Sequence, residues 1–136
     1  EINNEAYHFS VSTSNSMLTQ NGNHRMKASS FIPFWLTGNL IGSAKYDKSV
    51  GEKIDSTWLE SDGASNTNSA LHPDDEPFTY WADNHGEVYK GVWNVMPVYQ
   101  GDHMDVVGGS LRAAITPYYV TNYYKNHIKL LENLDD

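Results

Sequence analysis

The longest periodic stretch of this chain lies at its C-terminal end. Val120, Tyr124, Ile128 and Leu131 recur at three- and four-residue steps, flanked by Tyr123, His127 and Leu134, which is the spacing of one apolar face of an α-helix. Thr116 followed by Pro117 supplies its start, a capping hydroxyl and then a proline where the missing N–H is no loss. A single amphipathic helix has to lay its stripe on something else, and the rest of the chain offers strand. Tyr7, Phe9 and Val11 alternate with His8 and Ser10, and Val92, Trp93, Val95 and Met96 form a second run closed by Pro97. Both read as short strands, so the expected architecture is a helix packed on a sheet.

Between these elements the sequence is irregular. Thr13 to Arg25 is polar and turn-rich, with Asn21-Gly22 a tight turn, and reads as a long loop. Phe31 to Leu36 is dense in large apolar side chains, but Pro33 excludes a central strand or an uninterrupted helix through it, leaving a short helix or an extended corner. Thr37 to Gly42 then turns the chain. Leu71 to Gly86, with two prolines and four acids and no period, is expected to be a surface loop. No repeat or linker divides the chain, and residues 1–136 read as part of one domain.

Seventeen acidic residues against nine Lys and Arg give a formal charge of −8, which excludes nucleic acid and anionic lipid surfaces as electrostatic partners. The absence of Cys removes disulfides, thiolate catalysis and thiolate metal sites. No apolar run is long enough for a transmembrane segment. Chemistry therefore falls to carboxylates, histidines and hydroxyls.

Two turns stand out among these. Asp62 begins an Asp-Gly turn after Trp58, and His103 lies between Gly101 and Gly108-Gly109, just after the second strand candidate. A serine hydroxyl needs a base to take its proton and an acid to fix the base's tautomer, and Asp62 preceding His103 matches the last two members of the Ser, Asp, His chain order of α/β-hydrolases. The other histidines lie on a strand (His8), in polar loops (His24, His72, His85) or on the terminal helix (His127). Asp102 and Asp105 sit too close to His103 on one tight loop to reach its Nδ1, which leaves Asp62 as its partner. No Gly-x-Ser-x-Gly occurs in the 136 residues, so the nucleophile is expected outside them. Ser65 is the serine here that comes nearest to a nucleophile elbow.

The strings Trp58-Leu59-Glu60-Ser61-Asp62-Gly63, Lys90-Gly91-Val92-Trp93, Asp102-His103-Met104-Asp105-Val106-Val107-Gly108 and Thr37-Gly38-Asn39-Leu40-Ile41-Gly42 resemble the C-terminal part of secreted bacterial triacylglycerol lipases of the staphylococcal and thermophilic-bacillus type. The resemblance runs from about Ala6 to Leu134. It implies the acid/base-bearing C-terminal part of an α/β-hydrolase with a mainly parallel sheet. It further implies an ester or lipid substrate, secretion, and a nucleophile-bearing upstream part of the same enzyme as partner. Asp62 and His103 would be the triad acid and base. Trp35, Phe78, Tyr80 and Trp81 are candidates for acyl-chain contact or for ordinary packing. By the same resemblance Asp105 is a calcium ligand. The family's second acid, five residues further on, is Ser110 here, which weakens a site that depends on carboxylate charge. The family's zinc is held largely by residues upstream; Asp47 is this chain's own candidate, and no closely spaced histidine pair supports it. A reading of another class also stands on composition: an extracellular aromatic-rich carbohydrate-binding module, dominated by strands and without catalysis.

Overall fold

The computed structural model describes residues 2–45, 56–109 and 116–134. Its centre is a parallel strand pair. Strand β1 (His8–Ser10) lies beside β6 (Trp93–Val95), with His8 opposite Trp93 and Ser10 opposite Val95. The pair continues, after a bend in both chains, as β2 (Thr13–Ser14) beside β7 (Tyr99–Gln100). Between the two stretches the later strand uses one residue more than the earlier, at the position of Pro97, in the manner of a bulge. Carbonyls of Ser10, Ser12 and Ser14 accept from Met96, Tyr99 and Gly101, each at 2.9 Å, and carry the pairing through the bend. On the other side of β6 lies β5 (Phe78–Tyr80), also parallel, giving the order β1-β6-β5. Parallel pairing of this kind belongs to α/β folds, where helices supply the crossovers.

Both predicted strands are present, each about one residue shorter per end. The two stretches expected to be loops each contain strand. Residues 16–26 form an antiparallel hairpin of β3 (Ser16–Leu18) and β4 (His24–Met26), turning at Asn21-Gly22, and Leu71 to Gly86 contains β5. All three strands are three residues long and partly exposed, too short to leave a period in the sequence.

Helix α1 (Ile32–Gly42) takes up the helical alternative for Phe31 to Leu36 and corrects the reading of Thr37 to Gly42 as a turn. Pro33 falls in the first turn, where no intrahelical bond needs its N–H, and the helix runs on through Thr37-Gly38-Asn39. Gly38 and Gly42, one turn apart, are its buried residues. They let it lie directly on β4: a Cβ at Gly42 would sit 2.2 Å from the His24 carbonyl oxygen, and one at Gly38 2.3 Å from Met26 Sδ. What reads as a turn signal is a close helix–strand contact.

Helices α2 (His103–Val106) and α3 (Thr116–Glu132) complete the described elements. Helix α3 starts where Thr116-Pro117 predicts, but it is rotated. Val120 is buried, while Tyr124, Ile128 and Leu131 are largely exposed. The flanking residues face the body instead: Tyr123 meets the Tyr99 ring edge-on and His127 the ring of Phe9.

The interior is polar. Among the described residues only Met26, Leu59, Val95 and Val120 are buried apolar side chains, whereas Asn94, Asp62, Asp102, Ser12, Ser14 and Ser61 are the largest fully buried ones. Asn94, on the central strand, donates through Nδ2 to the carbonyls of His8 (3.0 Å), Tyr89 (2.9 Å) and Val92 (3.3 Å), and its Oδ1 accepts from Tyr89 N. Most buried polar groups in proteins are hydrogen-bonded, and here one amide ties β1 to the loop that enters β6, while the hydroxyls of Ser12 and Ser14 have no hydrogen-bond partner.

Candidate active site

The acid turn follows a short 3₁₀ segment, Ser56–Leu59, anchored by buried Leu59. Its stem is fixed to the sheet by Asn15 N donating to the Ser61 carbonyl at 3.0 Å and by Thr67 Oγ1 donating to the Thr13 carbonyl at 2.8 Å. Gly63 turns the chain at φ +99°, where an L side chain is strained and a Cβ would strike Phe34. The turn wraps the carboxylate of Asp62 in donors. Oδ1 accepts from the backbone N–H groups of Ala64 and Ser65, both at 2.9 Å, and from Ser65 Oγ at 3.4 Å; Oδ2 accepts from Thr13 Oγ1 at 2.6 Å.

The base turn begins where β7 ends. Asp102 caps α2, its Oδ1 accepting from Met104 N and Asp105 N, while Asp105 Oδ2 accepts from Asp102 N in a reciprocal capping box. The second oxygen of Asp102 accepts from Phe31 N at 2.7 Å and so joins α2 to the entry of α1. His103 is the first residue of α2. Its backbone N–H donates to the Asp62 carbonyl at 3.1 Å, and its Nδ1 lies 2.8 Å from Asp62 Oδ2. Both Asp102 and Asp105 are occupied by the backbone of their own turn, as the tightness of that loop requires.

Asp62 is 2% exposed and His103 51%. Burial works to raise the Asp62 carboxyl, but the Thr13 hydroxyl, the Ser65 N–H, the His103 ring and the Ala64 N–H outweigh it and hold the group below its ordinary value of 3.8. A buried, ionised carboxylate thus holds one imidazole nitrogen and leaves the rest of the ring half exposed, which is the arrangement of an acid orienting a general base.

Two contributors were missed in the sequence. Thr13 fell in a stretch read as loop, and its alignment with Asp62 depends on a strand of two residues. Phe34, whose ring meets His103 edge-on at 5.8 Å, was hidden within an apolar run. Of the aromatic candidates, Trp35 lies partly exposed on α1 and Phe78 and Tyr80 on the edge strand β5. Trp81 lines an apolar cavity of about 350 Å³ with Met96, Pro97, Tyr123, His127 and Leu130. Ser65 belongs to the acid turn itself. Ser110 and Asp47 lie outside the described residues. Among the described residues no three His, Asp or Glu side chains gather as a metal site, and Asp105 Oδ2 accepts from Asp102 N in the capping box.

Similarity to known proteins covers both turns. A family model described as "Lipase-like, C-terminal domain" matches residues 2–134. The chain belongs to this lipase-like C-terminal domain family. Within the family's reach, a lipase of Staphylococcus epidermidis is 35% identical over 64% of this chain and 11% of its own length, and Lipase 1 of Staphylococcus aureus is 37% identical over 57% and 10%. The lipase-like domain thus spans about a tenth of the curated relatives it matches. Among solved structures, Staphylococcus hyicus lipase superposes with a TM-score of 0.79 at 28% identity, covering 96% of this chain and 32% of that one. EstA from Clostridium botulinum superposes at 0.76 and 25% identity, covering 98% and 30%. The α/β reading, with parallel strands and a terminal helix, holds across these matches. No described helix of the domain is long and apolar enough to cross a membrane.

Proposed function

We propose that this chain supplies the acid and base of a serine-dependent carboxylic-ester hydrolase, acting outside the cell on acylglycerols or other esters. The observation that carries the reading is the 2.8 Å contact between His103 Nδ1 and the buried Asp62 carboxylate. In this role Asp62 keeps the Nδ1–H tautomer, so Nε2 is free to take the proton of a serine hydroxyl as it attacks the ester carbonyl. The imidazolium, stabilised by Asp62, then returns that proton to the leaving alkoxide, and the same cycle run with water releases the acid. The nucleophile and the oxyanion donors come from outside these residues, in the nucleophile-bearing part of the same enzyme, of which residues 1–136 are the C-terminal portion. Support for that division is the lack of a Gly-x-Ser-x-Gly motif and the small share of each relative that the chain spans.

Calcium is proposed only in a reduced form. Asp105 would be its ligand from the described residues, and Ser110 takes the place of the second acid, so binding is expected to be feeble and its role confined to bracing the loop that carries His103.

The test is turnover of a short-chain ester by the full-length gene product beside its His103→Ala variant. Loss of nearly all turnover in a variant with unchanged circular dichroism supports the reading; retention of most of it ends the assignment. Binding of neutral oligosaccharides with no ester turnover would favour the carbohydrate-binding alternative instead.

A further inference from the structure

We infer that Thr13 is a positioning residue for the acid–base pair, holding Asp62 Oδ2 in the orientation that receives His103. The inference rests on the triad reading above and adds a residue to it. Its basis is geometric. Thr13 Oγ1 donates at 2.6 Å to the same oxygen that His103 Nδ1 approaches at 2.8 Å, and both Thr13 and Asp62 are buried. The two oxygens of Asp62 are held differently. Oδ1 is fixed by donors of its own turn, Ala64 and Ser65, two and three residues away. Oδ2, the oxygen that matters to the base, is fixed by a side chain 49 residues away on the sheet.

Without that hydroxyl, Oδ2 keeps a single side-chain partner, and rotation about the bond joining the carboxylate to its Cβ is restrained from the Oδ1 side alone. Thr13 is itself immobilised. Its backbone pairs with Tyr99 in the β2–β7 ladder and its carbonyl accepts from Thr67 Oγ1 at 2.8 Å. The β-branched side chain is restricted at χ1 by its strand backbone. The site is therefore triangulated: β2 carries Thr13, the turn after Leu59 carries Asp62, and α2, following β7, carries His103. Because β2 and β7 are adjacent strands, the hydroxyl and the imidazole reach the carboxylate from one rigid surface.

The experiment compares Thr13→Val, Thr13→Ser and Thr79→Val in the full-length gene product. A short-chain p-nitrophenyl ester reports kcat and KM, and one-dimensional proton NMR reports the downfield resonance of the His103 Nδ1 proton. Thr13→Val, nearly the same shape without the hydroxyl, is expected to lower kcat on the order of 10- to 100-fold with KM within about twofold, and to shift or broaden the downfield proton. Thr13→Ser should restore most of kcat and the resonance. Thr79→Val removes a hydroxyl on β5 that accepts from Asn84 Nδ2 and touches neither Thr13 nor Asp62, and should change stability but neither kcat nor the resonance. If Thr13→Val does not fold, Thr13→Ala gives the same comparison without the β-branch. An unchanged kcat and an unchanged resonance in the folded hydroxyl-deleted variant would overturn the inference, as would equal losses in Thr13→Val and Thr79→Val. Failure of the triad reading is separate: it appears as activity in His103→Ala, whatever Thr13 does.

Discussion

At the scale of single residues, the pair is a charge held ready inside a hydrogen-bonded shell. On the proposed triad, Asp62→Asn keeps the shape but leaves the imidazole in the wrong tautomer, and His103→Ala removes the base. Each is expected to lower turnover of the full-length gene product on the order of 10⁴-fold, with the double variant scarcely worse than either, because the two act as one unit. Initial rates on a short-chain ester check this. The same carboxylate leaves a mark on stability. Its value in the folded protein is depressed, so the stability it adds is fully present above the ordinary value of 3.8 and is lost as pH falls through the lower folded value. Urea denaturation measured from pH 6 down to pH 2 should therefore show an acid decline that is shallower in Asp62→Asn than in the natural chain. The contact between the two was foreseeable from the sequence, chiefly because the strings around both turns resemble a family in which an acid and a base stand in that order. Thr13 was not, because a hydroxyl bonded across 49 residues carries no local signal.

At the scale of elements, the site depends on how α1 and α2 are seated. Asp102 holds both: it caps α2 and accepts from the N–H that opens α1. Asp102→Ala strands three part-buried donors and is expected to cost about 1–3 kcal/mol, measurable as a lower urea midpoint. Gly42→Ala tests the seat of α1. Alanine favours helix over glycine by about 1 kcal/mol, yet its Cβ would lie 2.2 Å from a backbone oxygen of β4, and backbone yields less readily than a side chain. Net destabilisation of about 1–3 kcal/mol is expected; an increase in melting temperature would show that β4 can move aside. The analogous Gly38→Ala should be milder, since the obstacle there is the flexible Met26 side chain. Elements with a strong period or a cap, β1, β6 and α3, were readable in advance. The continuation of α1 through Gly38 and Gly42 was not, because glycines signal a break unless the neighbouring strand is known to need the space. The face of α3 was misjudged for a related reason. Periodicity ranks Ile128 and Leu131 by hydrophobicity, whereas the sheet offers the rings of Tyr99 and Phe9, which suit Tyr123 and His127.

At the scale of the whole molecule, the fold is fastened by hydrogen bonds across long stretches of sequence more than by an apolar interior. Large apolar side chains at Ile32, Leu36 and Leu40 on α1 and at Ile128 and Leu131 on α3 remain exposed. Residues 1–136 expressed alone are accordingly expected to bind a hydrophobic dye and to show no ester turnover, because a base without a nucleophile or oxyanion donors has nothing to activate. Serine-dependent hydrolysis by that preparation would relocate the nucleophile to one of its own serines. The order of the strands has a consequence for synthesis. Of the described strands β1 leaves the ribosome first, and its partner β6 follows 85 residues later, about 4 to 17 seconds at ordinary elongation rates. Throughout that interval His8, Phe9 and Ser10 present an unpaired edge that can be satisfied only by another chain, a chaperone or a strand made earlier. The parallel register that later sets Thr13 beside Tyr99, four residues before His103, thus makes the nascent chain dependent on whatever shelters residues 8–10.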